Sequence, residues 1–253
     1  LVASGAEAGD YMVDHPRTRF ISFTGSMEVG TRIYERAAKV NPGQIWLKRV
    51  VAEMGGKDAM LIDSEVDVDY AVGEVVKAAF GFQGQKCSAC SRAIVDEKVY
   101  DEFVEKLEKK AKEIVIGDPR DNAPAGPVVS ESAYNSIKEY IEIGRKEGRL
   151  IVGGTTPDSD KGYYITPTVI VDVPETARIA KEEIFGPVLA VIKSKNFDDG
   201  IRIFNDTIYG LTGGLITNNP EKLAIGKKEL HCGNLYLNRK CTGALVDVHP
   251  FGG

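Results

Sequence analysis

Short apolar runs that predict strands alternate along this chain with amphipathic stretches that predict helices, and this alternation constrains the fold most. Glycine, proline and asparagine separate most of the runs, as they do in turns. The predicted strands are 19–23, 44–52, 58–62, 92–95, 150–152, 168–171, 188–192 and 211–217. Such alternation favours an α/β protein with a mostly parallel sheet. The residues before the first of these strands predict a strand and turn that begin inside a domain.

The predicted helices have one apolar face and recognisable ends. The helix over 68–79 carries an apolar stripe, and we expect Ser64 to cap its start. A more highly charged helix follows at 99–114, whose lysines and glutamates indicate a solvated face rather than a binding site. A further helix is predicted to begin at Ser130 and to stop at Gly148.

The composition is that of a globular protein. With 253 residues and 43% hydrophobic side chains, the chain can bury the core of one large domain or two smaller ones. The net charge is -5 and basic residues are interleaved with acidic ones, so nucleic acid is not expected as a partner. No apolar run approaches the roughly 20 residues that span a bilayer, and residues 1–10 lack the pattern of a signal peptide. We therefore predict a cytoplasmic protein without a membrane partner.

The stretch from Phe80 to Arg92, FGFQGQKCSACSR, has the composition of a catalytic loop. Gly81 and Gly84 allow backbone angles and close approaches that are closed to other residues. Cys87 is followed by small residues that leave room for attack on a carbonyl carbon. Because only a few per cent of a free thiol is ionised near neutral pH, the site needs a base or a favourable field nearby.

The four cysteines are too few for a disulfide framework and suit a reducing compartment. Cys87 and Cys90 form a CxxC pair, which also occurs in redox sites and in zinc sites. No second CxxC is present, and Cys232 and Cys241 lie nine positions apart with His231 adjacent. We therefore expect no metal site.

The segment after the first predicted strand can be interpreted as a phosphate-binding turn. The strand runs into Thr24, Gly25 and Ser26 and then into a helix, so free amides and the positive end of the helix dipole would face an anion. Gly30 would let this helix lie close to a strand. The full GxGxxG fingerprint is absent, and an ordinary turn between strand and helix explains the pattern about equally well.

Two further segments place acidic residues beside glycine turns. Glu53 ends a predicted strand before Gly55 and Gly56, so its carboxylate either projects into a cleft or is a solvated turn acid. Glu183 and Phe185 lie in EEIFGPV, where an acid and an aromatic side chain could hold a polar ring. An ordinary turn from helix to strand fits this second segment as well. The sequence of each segment alone is therefore compatible with both a binding role and a structural one.

Taken together, five motifs occur in the order found in the NAD(P)-dependent aldehyde dehydrogenase superfamily, which the chain resembles over essentially its whole length. They are FTGS with Gly30, EMGGK, FxxxGQxC, EEIFGPV and PFGG. The resemblance implies an α/β aldehyde dehydrogenase catalytic domain with a mostly parallel sheet, joined to the last strands of a Rossmann-like NAD-binding domain. The implied boundaries are 1–56 for the NAD-binding part, 57–240 for the catalytic domain and 241–253 for a substrate-anchoring loop.

The resemblance also implies roles for individual residues. Cys87 matches the nucleophile that forms a thiohemiacetal and then a thioester, and Glu53 matches the general base that activates water. NAD is the implied cofactor, with NADP as the alternative. The residues that match its binding positions are Gly25, Ser26, Gly30, Glu183 and Phe185.

Within the superfamily, GQKCSACSR and the TGALV segment most resemble the enzymes that oxidise L-glutamate γ-semialdehyde in proline catabolism. The implied anchors for the α-amino-acid end of this small aldehyde are Ser88, Gly243 and Ala244, and hydroxyl and amide donors do suit a carboxylate. Phe251 matches an aromatic residue that packs on the aliphatic part of the substrate. Another semialdehyde or an aromatic aldehyde stays open as the substrate.

Full-length proteins of this family are longer than this chain, so we interpret it as the C-terminal half of such an enzyme. The resemblance implies a homo-oligomer for the full-length form. We expect the isolated chain to bind NAD weakly and to turn over slowly or not at all, and an inactive interaction fragment is the alternative. A cysteine hydrolase is disfavoured because His15, His231 and His249 lack any motif around them.

Overall fold

The computed structural model describes residues 5–157, 162–245 and 248–249, and the chain divides into two units, Leu1–Gly55 and Gly56–Gly253. In the described part, the first unit consists of α1 (Gly5–Asp14), β1 (Phe20–Thr24), α2 (Met27–Ala37) and β2 (Arg49–Glu53). Its two strands pair in parallel, with Thr24 opposite Glu53. The segments FTGS and EMGGK therefore begin at the same end of this small sheet.

The first described residues form a helix, so the strand and turn predicted there are wrong. The sequence of α1, GAEAGDYMVD, contains alanine and glutamate, which are strong helix formers, and Val13 is its one β-branched residue. Ion pairs join the helix to α2, from Arg32 to Asp10 and from Arg36 to Asp14. These local preferences and contacts favour a helix over an extended segment.

The strand predicted over 44–52 is confirmed only in its second half, since β2 begins at Arg49. Side-chain hydrogen bonds hold the residues before it in a loop. Gln44 Nε2 donates to Trp46 O at 2.7 Å, and Trp46 Nε1 donates to Thr18 O at 3.1 Å. These bonds satisfy polar groups of the segment without a neighbouring strand.

The second unit is built around a seven-stranded sheet in its described part. The strands are β3 (Ala59–Ile62), β4 (Arg92–Asp96), β5 (Arg149–Val152), β6 (Thr168–Val171), β7 (Val188–Ser194), β8 (Thr212–Ile216) and β9 (Asn234–Leu237). They lie in the order β5-β6-β7-β4-β3-β8-β9, and every pairing between these strands is parallel except that of β5 with β6. The predicted α/β fold with a mostly parallel sheet is confirmed, although β9 was not predicted.

Helices cover both faces of this sheet. They are α3 (Val68–Phe80), α4 (Glu97–Lys112), α5 (Glu131–Glu147), α6 (Arg178–Lys181), α7 (Phe197–Asn205) and α8 (Pro220–Glu229). α3 and α4 pack on one face around Val75 and Phe103, whereas α5 and α7 pack on the other around Ile137 and Phe204. Alternate residues of β3 and β4 enter the two cores, as the pleat of a strand requires. None of the described helices is both long and apolar enough to cross a membrane.

The predicted ends of α5 are confirmed, but the predicted start of α3 is wrong. Ser130 caps α5 with its hydroxyl group, and the helix stops at Gly148. α3 is instead capped by Asp67, whose carboxylate accepts a hydrogen bond from Tyr70 N at 3.1 Å. Ser64 lies earlier in the loop, and a cap must directly precede the first helical residue.

Candidate active site

The turn that leads from α3 into the cysteine loop depends on one glycine. It spans Gly81–Gly84, and its two central residues are left-handed, with φ of 58° at Phe82 and 57° at Gln83. Gly84 has φ of 66°, and a Cβ on it would overlap the carbonyl oxygen of Gly186. Of the two glycines expected to allow unusual backbone angles, Gly84 uses such an angle, whereas Gly81 has a φ of -58° and a Cβ on it would meet the end of a lysine side chain at 3.5 Å.

Backbone hydrogen bonds hold the loop beyond the nucleophile on two sides. Cys90 N donates to Ala78 O in α3 at 3.2 Å, and Ser91 N donates to Asp58 O at 3.0 Å. The loop is therefore anchored both to the helix that precedes it and to the segment that leads into β3. Main-chain anchors of this kind fix the loop independently of which side chains it carries.

Cys87 is half-buried, and its surroundings in this unit do not favour the thiolate. Burial raises the pKa of Cys87 above the usual value for a thiol, and the carboxylates of Asp58 and Glu183 raise it further. The hydrogen bond from the backbone of Ser88 opposes this effect in part. Nucleophilic attack by Cys87 therefore requires an additional base or positive charge.

A group of buried charges beside the loop was missed in the sequence. Lys57 and Asp58 are both almost fully buried just before β3. Burial, with a contribution from Arg92, lowers the pKa of Lys57 to about 7. Burial raises the pKa of Asp58 to about 7, although Thr212 donates to it from its backbone amide at 2.7 Å and its hydroxyl at 3.0 Å. Two charged residues directly before four apolar strand residues were the signal that could have revealed this group.

Arg92 ties the end of the loop to two neighbouring elements. It is 2% exposed, and its guanidinium group donates to three carbonyl oxygens. The acceptors are Lys57 O at 3.0 Å, Ile203 O at 3.2 Å and Phe204 O at 3.1 Å. These bonds hold β4 against the segment before β3 and against α7, and so fix where the cysteine loop ends.

Gly56 lies between the main chain of Cys87 and the carboxylate of Glu183. Its amide donates to Glu183 Oε1 at 3.1 Å, and a Cβ on it would overlap the carbonyl oxygen of Cys87. Burial raises the pKa of Glu183, while the bond from Gly56 and the charge of Lys57 oppose that shift. Phe185 follows with a φ of 54° and an exposed ring.

Three of the four residues predicted to bind the substrate lie on two loops that meet. Cys241 Sγ donates to Ser88 O at 3.7 Å, which joins the segment before Gly243 and Ala244 to the cysteine loop. Gly243 has a φ of 95°, a region that favours glycine. Phe251 lies outside the described residues.

In the first unit, the predicted diphosphate turn has the geometry of a capped helix start. Ser26 Oγ accepts from the amide of the third residue of α2 at 3.3 Å, and Gly25 N donates to Glu53 O at 3.0 Å. Gly30 is buried, and a Cβ on it would lie 2.5 Å from Met54 Sδ, so the helix packs closely at this position. Gly25 and Ser26 are exposed, and an exposed helix start favours anions.

Among the described residues, no group of three or more His, Cys, Asp or Glu side chains is placed to bind a metal ion. Cys87, Cys90, Cys232 and Cys241 are all free thiols. Cys90 and Cys241 are fully buried in the same hydrophobic core, and Cys90 Sγ donates to Arg92 O at 3.4 Å. Cys90 thus has the surroundings of a core residue rather than of a second reactive thiol.

Comparison with known proteins identifies the family. The sequence profile of the aldehyde dehydrogenase family matches residues 1–253. A 1-pyrroline-5-carboxylate dehydrogenase from Geobacillus sp. (strain WCH70) is 60% identical over 254 aligned residues, covering 100% of this chain and 49% of that protein. The chain belongs to the aldehyde dehydrogenase family, and the resemblance seen in its motifs is confirmed.

Solved structures agree with this assignment. A 1-pyrroline-5-carboxylate dehydrogenase from Thermus, solved with bound NAD, matches with a TM-score of 0.97 at 51% identity, covering 99% of this chain and 48% of that chain. The γ-glutamyl-γ-aminobutyraldehyde dehydrogenase of Burkholderia cenocepacia J2315 matches with a TM-score of 0.92 at 36% identity, covering 99% of this chain and 50% of that chain. The aldehyde dehydrogenase fold is therefore confirmed, and this chain spans about half the length of the curated relatives it matches.

Proposed function

We propose that this chain is the catalytic part of an enzyme that oxidises L-glutamate γ-semialdehyde, the open form of 1-pyrroline-5-carboxylate, to L-glutamate. The observation that carries the proposal is that the main chain of Cys87 and the carboxylate of Glu183 both lie against Gly56, beside a turn that requires Gly84. A relative that shares 60% of its aligned residues is a 1-pyrroline-5-carboxylate dehydrogenase, which supports the substrate class.

Cys87 and Glu53 would carry the covalent steps. The Cys87 thiolate adds to the aldehyde carbon, forming a carbon–sulfur bond and a thiohemiacetal. Loss of a hydride from that carbon leaves a thioester. Glu53 then takes a proton from water, whose oxygen attacks the thioester carbon; the carbon–sulfur bond breaks, and the thiolate and the carboxylate product are released. The aldehyde carbon is oxidised by two electrons and gains one oxygen from water.

The residues present fit NAD, which when bound would accept the hydride. Glu183 would bind the ribose hydroxyls, because an ionised carboxylate is an acceptor-only group and suits a diol. Gly25 and Ser26 would bind the diphosphate at the exposed start of α2, with Gly30 packing that helix closely. Phe185, with its exposed ring, would pack beside the nicotinamide. NADP stays the alternative to NAD.

Substrate choice would depend on donors that recognise the α-amino-acid end. The Ser88 hydroxyl and the amides of Gly243 and Ala244 would bind its carboxylate, and charge-assisted bonds of this kind are strong. Phe251 would pack on the aliphatic carbons. We further propose, from the family resemblance, a cytoplasmic homo-oligomer as the full-length form.

The test is NADH formation by the intact protein with glutamate semialdehyde, and with butanal as an aldehyde that lacks the amino-acid end. Cys87→Ala is expected to abolish NADH formation from both. Ser88→Ala is expected to raise KM for the semialdehyde and to leave KM for butanal unchanged. An unchanged KM for the semialdehyde would point to another aldehyde as the substrate.

The same assay tests the expectation for the 253-residue chain on its own. It is expected to bind NAD weakly and to form NADH slowly or not at all, because the described residues of the first unit form a two-stranded sheet with two helices. Turnover by the isolated chain at the rate of the intact protein would contradict this expectation.

A further inference from the structure

The segment that leads to Gly243 and Ala244 is held by side chains that no step of the proposed reaction uses. It follows β9 and begins at Asn238, whose carbonyl oxygen accepts a hydrogen bond from Tyr70 Oη at 2.8 Å. Thr242, just before the two proposed anchors, is 3% exposed. The segment is therefore packed against the rest of the unit rather than free in solvent.

Glu74 is a buried acid on α3 that binds this segment. It is 9% exposed, and its Oε2 accepts from Lys240 N at 2.8 Å. Its Oε1 accepts from Lys77 Nζ, also at 2.8 Å, and Lys77 itself is largely exposed. An acid on an apolar helix face that binds a main-chain amide holds that amide at a set distance from the helix axis.

Cys241, the residue after Lys240, connects the segment to the cysteine loop. Its side chain is fully buried, and its Sγ donates to Ser88 O at 3.7 Å. α3 leads directly into the cysteine loop. Glu74 and Cys241 therefore both connect the segment after β9 to this continuous stretch of chain, Glu74 through Lys240 and Cys241 through its own side chain. Together they fix the segment that carries Gly243 against the loop that carries Ser88.

We propose that Glu74 and Cys241 are positioning residues that set the spacing between Ser88 and the amides of Gly243 and Ala244, and thereby the affinity for the α-amino-acid end of the substrate. This inference rests on the proposed function, which assigns the two loops to one carboxylate. Donors on separate loops bind one carboxylate well only if their spacing is fixed before binding. A looser segment would weaken binding of that end and leave the reacting aldehyde unaffected.

The test compares three variants of the intact protein. Glu74→Ala removes the acceptor for Lys240 N and is expected to raise KM for glutamate semialdehyde roughly tenfold, the size of one buried hydrogen bond. kcat for the semialdehyde and KM for butanal are expected to stay unchanged. Glu74→Gln keeps an acceptor oxygen and is expected to restore KM to within about twofold.

Lys77→Ala is the matched control, because it removes the ion pair of Glu74 and leaves the bond to Lys240 N in place. Its KM for both aldehydes is expected to equal that of the wild type. Cys241→Ala removes the thiol donor to Ser88 O and is expected to raise KM for the semialdehyde about threefold, since a thiol is a weak donor.

Hydrogen exchange gives a readout that does not depend on the substrate. The amides of 240–244 are expected to exchange faster in Glu74→Ala and at the wild-type rate in Glu74→Gln and Lys77→Ala. Unchanged exchange in Glu74→Ala would overturn the positioning role, and faster exchange with an unchanged KM would overturn its link to affinity. A wild-type enzyme that does not prefer the semialdehyde over butanal would overturn the proposed function instead. Hydrogen exchange would then still show whether Glu74 holds the segment in place.

Discussion

Two glycines at the proposed sites, Gly84 in a turn and Gly30 in α2, differ in what surrounds them. At Gly84 in the second unit, a Cβ would overlap the main-chain carbonyl oxygen of Gly186, just before β7. At Gly30 in the first unit, a Cβ would lie 2.5 Å from Met54 Sδ, which belongs to a flexible side chain. The turn beside the nucleophile therefore has no room to adjust, whereas the helix that follows the proposed diphosphate turn does.

The sheets of the two units differ in the same way. Every residue of β3 and β4 is buried, whereas every residue of β1 and β2 is exposed or only partly buried. Buried surroundings hold side chains in single positions, which a covalent reaction requires of its nucleophile. We infer that burial in the second unit fixes the geometry of the chemistry.

Among the substitutions that test the difference between the two units, Arg92→Met is expected to lower the free energy of unfolding most. This change would leave the carbonyl oxygens of Lys57, Ile203 and Phe204 buried without their donor, and each such loss is costly. We expect a loss of about 3–5 kcal/mol in the free energy of unfolding, measured by urea titration of the intact protein.

Arg32→Met in the first unit is the matched control. Arg32 pairs with Asp10 at an exposed position, so its loss is expected to cost less than about 1 kcal/mol. Equal losses for the two arginines would contradict the difference between the units.

A smaller effect is expected from alanine at the two glycines. Gly84→Ala places a Cβ against Gly186 O at a φ of 66° and is expected to cost about 2–3 kcal/mol in the free energy of unfolding. Gly30→Ala lies within α2, where alanine gains up to about 1 kcal/mol over glycine and so offsets the displacement of Met54. The same titration measures both. A cost at Gly30 as large as that at Gly84 would show that the first unit is equally rigid there.

The smallest effect is expected on the reactivity of Cys87. Because burial raises its pKa, less thiolate is present at neutral pH, and alkylation by iodoacetamide should keep accelerating as the pH rises past the usual thiol range. Asp58→Asn removes one of the charges that raise this pKa. The variant is therefore expected to react roughly two- to fivefold faster at a pH of about 8.

Asp63→Asn, at the other end of β3, is the control for that experiment. Asp63 is buried beside Lys222 and is not among the charges that raise the pKa of Cys87, so its alkylation rate should equal that of the wild type. Slower or unchanged alkylation in Asp58→Asn would show that the charge of Asp58 does not reach the thiol.

Features decided by neighbouring residues could be predicted from the sequence. The cap and stop of α5 at Ser130 and Gly148 are local signals, and β6 occupies the predicted range, 168–171. The family, and with it the fold, could be predicted because the order of five motifs is itself sequence information. Helix α1 was not predicted, since a segment of ten residues gives only a weak preference.

Features decided by distant packing could not be predicted. Gly81 and Gly84 look alike in the sequence, but only Gly84 is opposed by a carbonyl oxygen of Gly186, far along the chain. The same holds for Glu74, whose partner Lys240 lies on another loop. The sequence of α3 shows that Glu74 is an acid on an apolar helix face. Only the contact with Lys240 in the folded chain explains why an acid occurs there.

The cysteine to which the substrate becomes attached identifies the nucleophile. The intact protein would be mixed with glutamate semialdehyde and NAD, quenched in acid and digested, and the cysteine peptides weighed by mass spectrometry. We expect a glutamyl thioester on Cys87 and none on Cys90, Cys232 or Cys241, since the thioester is the intermediate that awaits hydrolysis. An adduct on another cysteine, or full turnover by Cys87→Ala, would show that Cys87 is not the nucleophile.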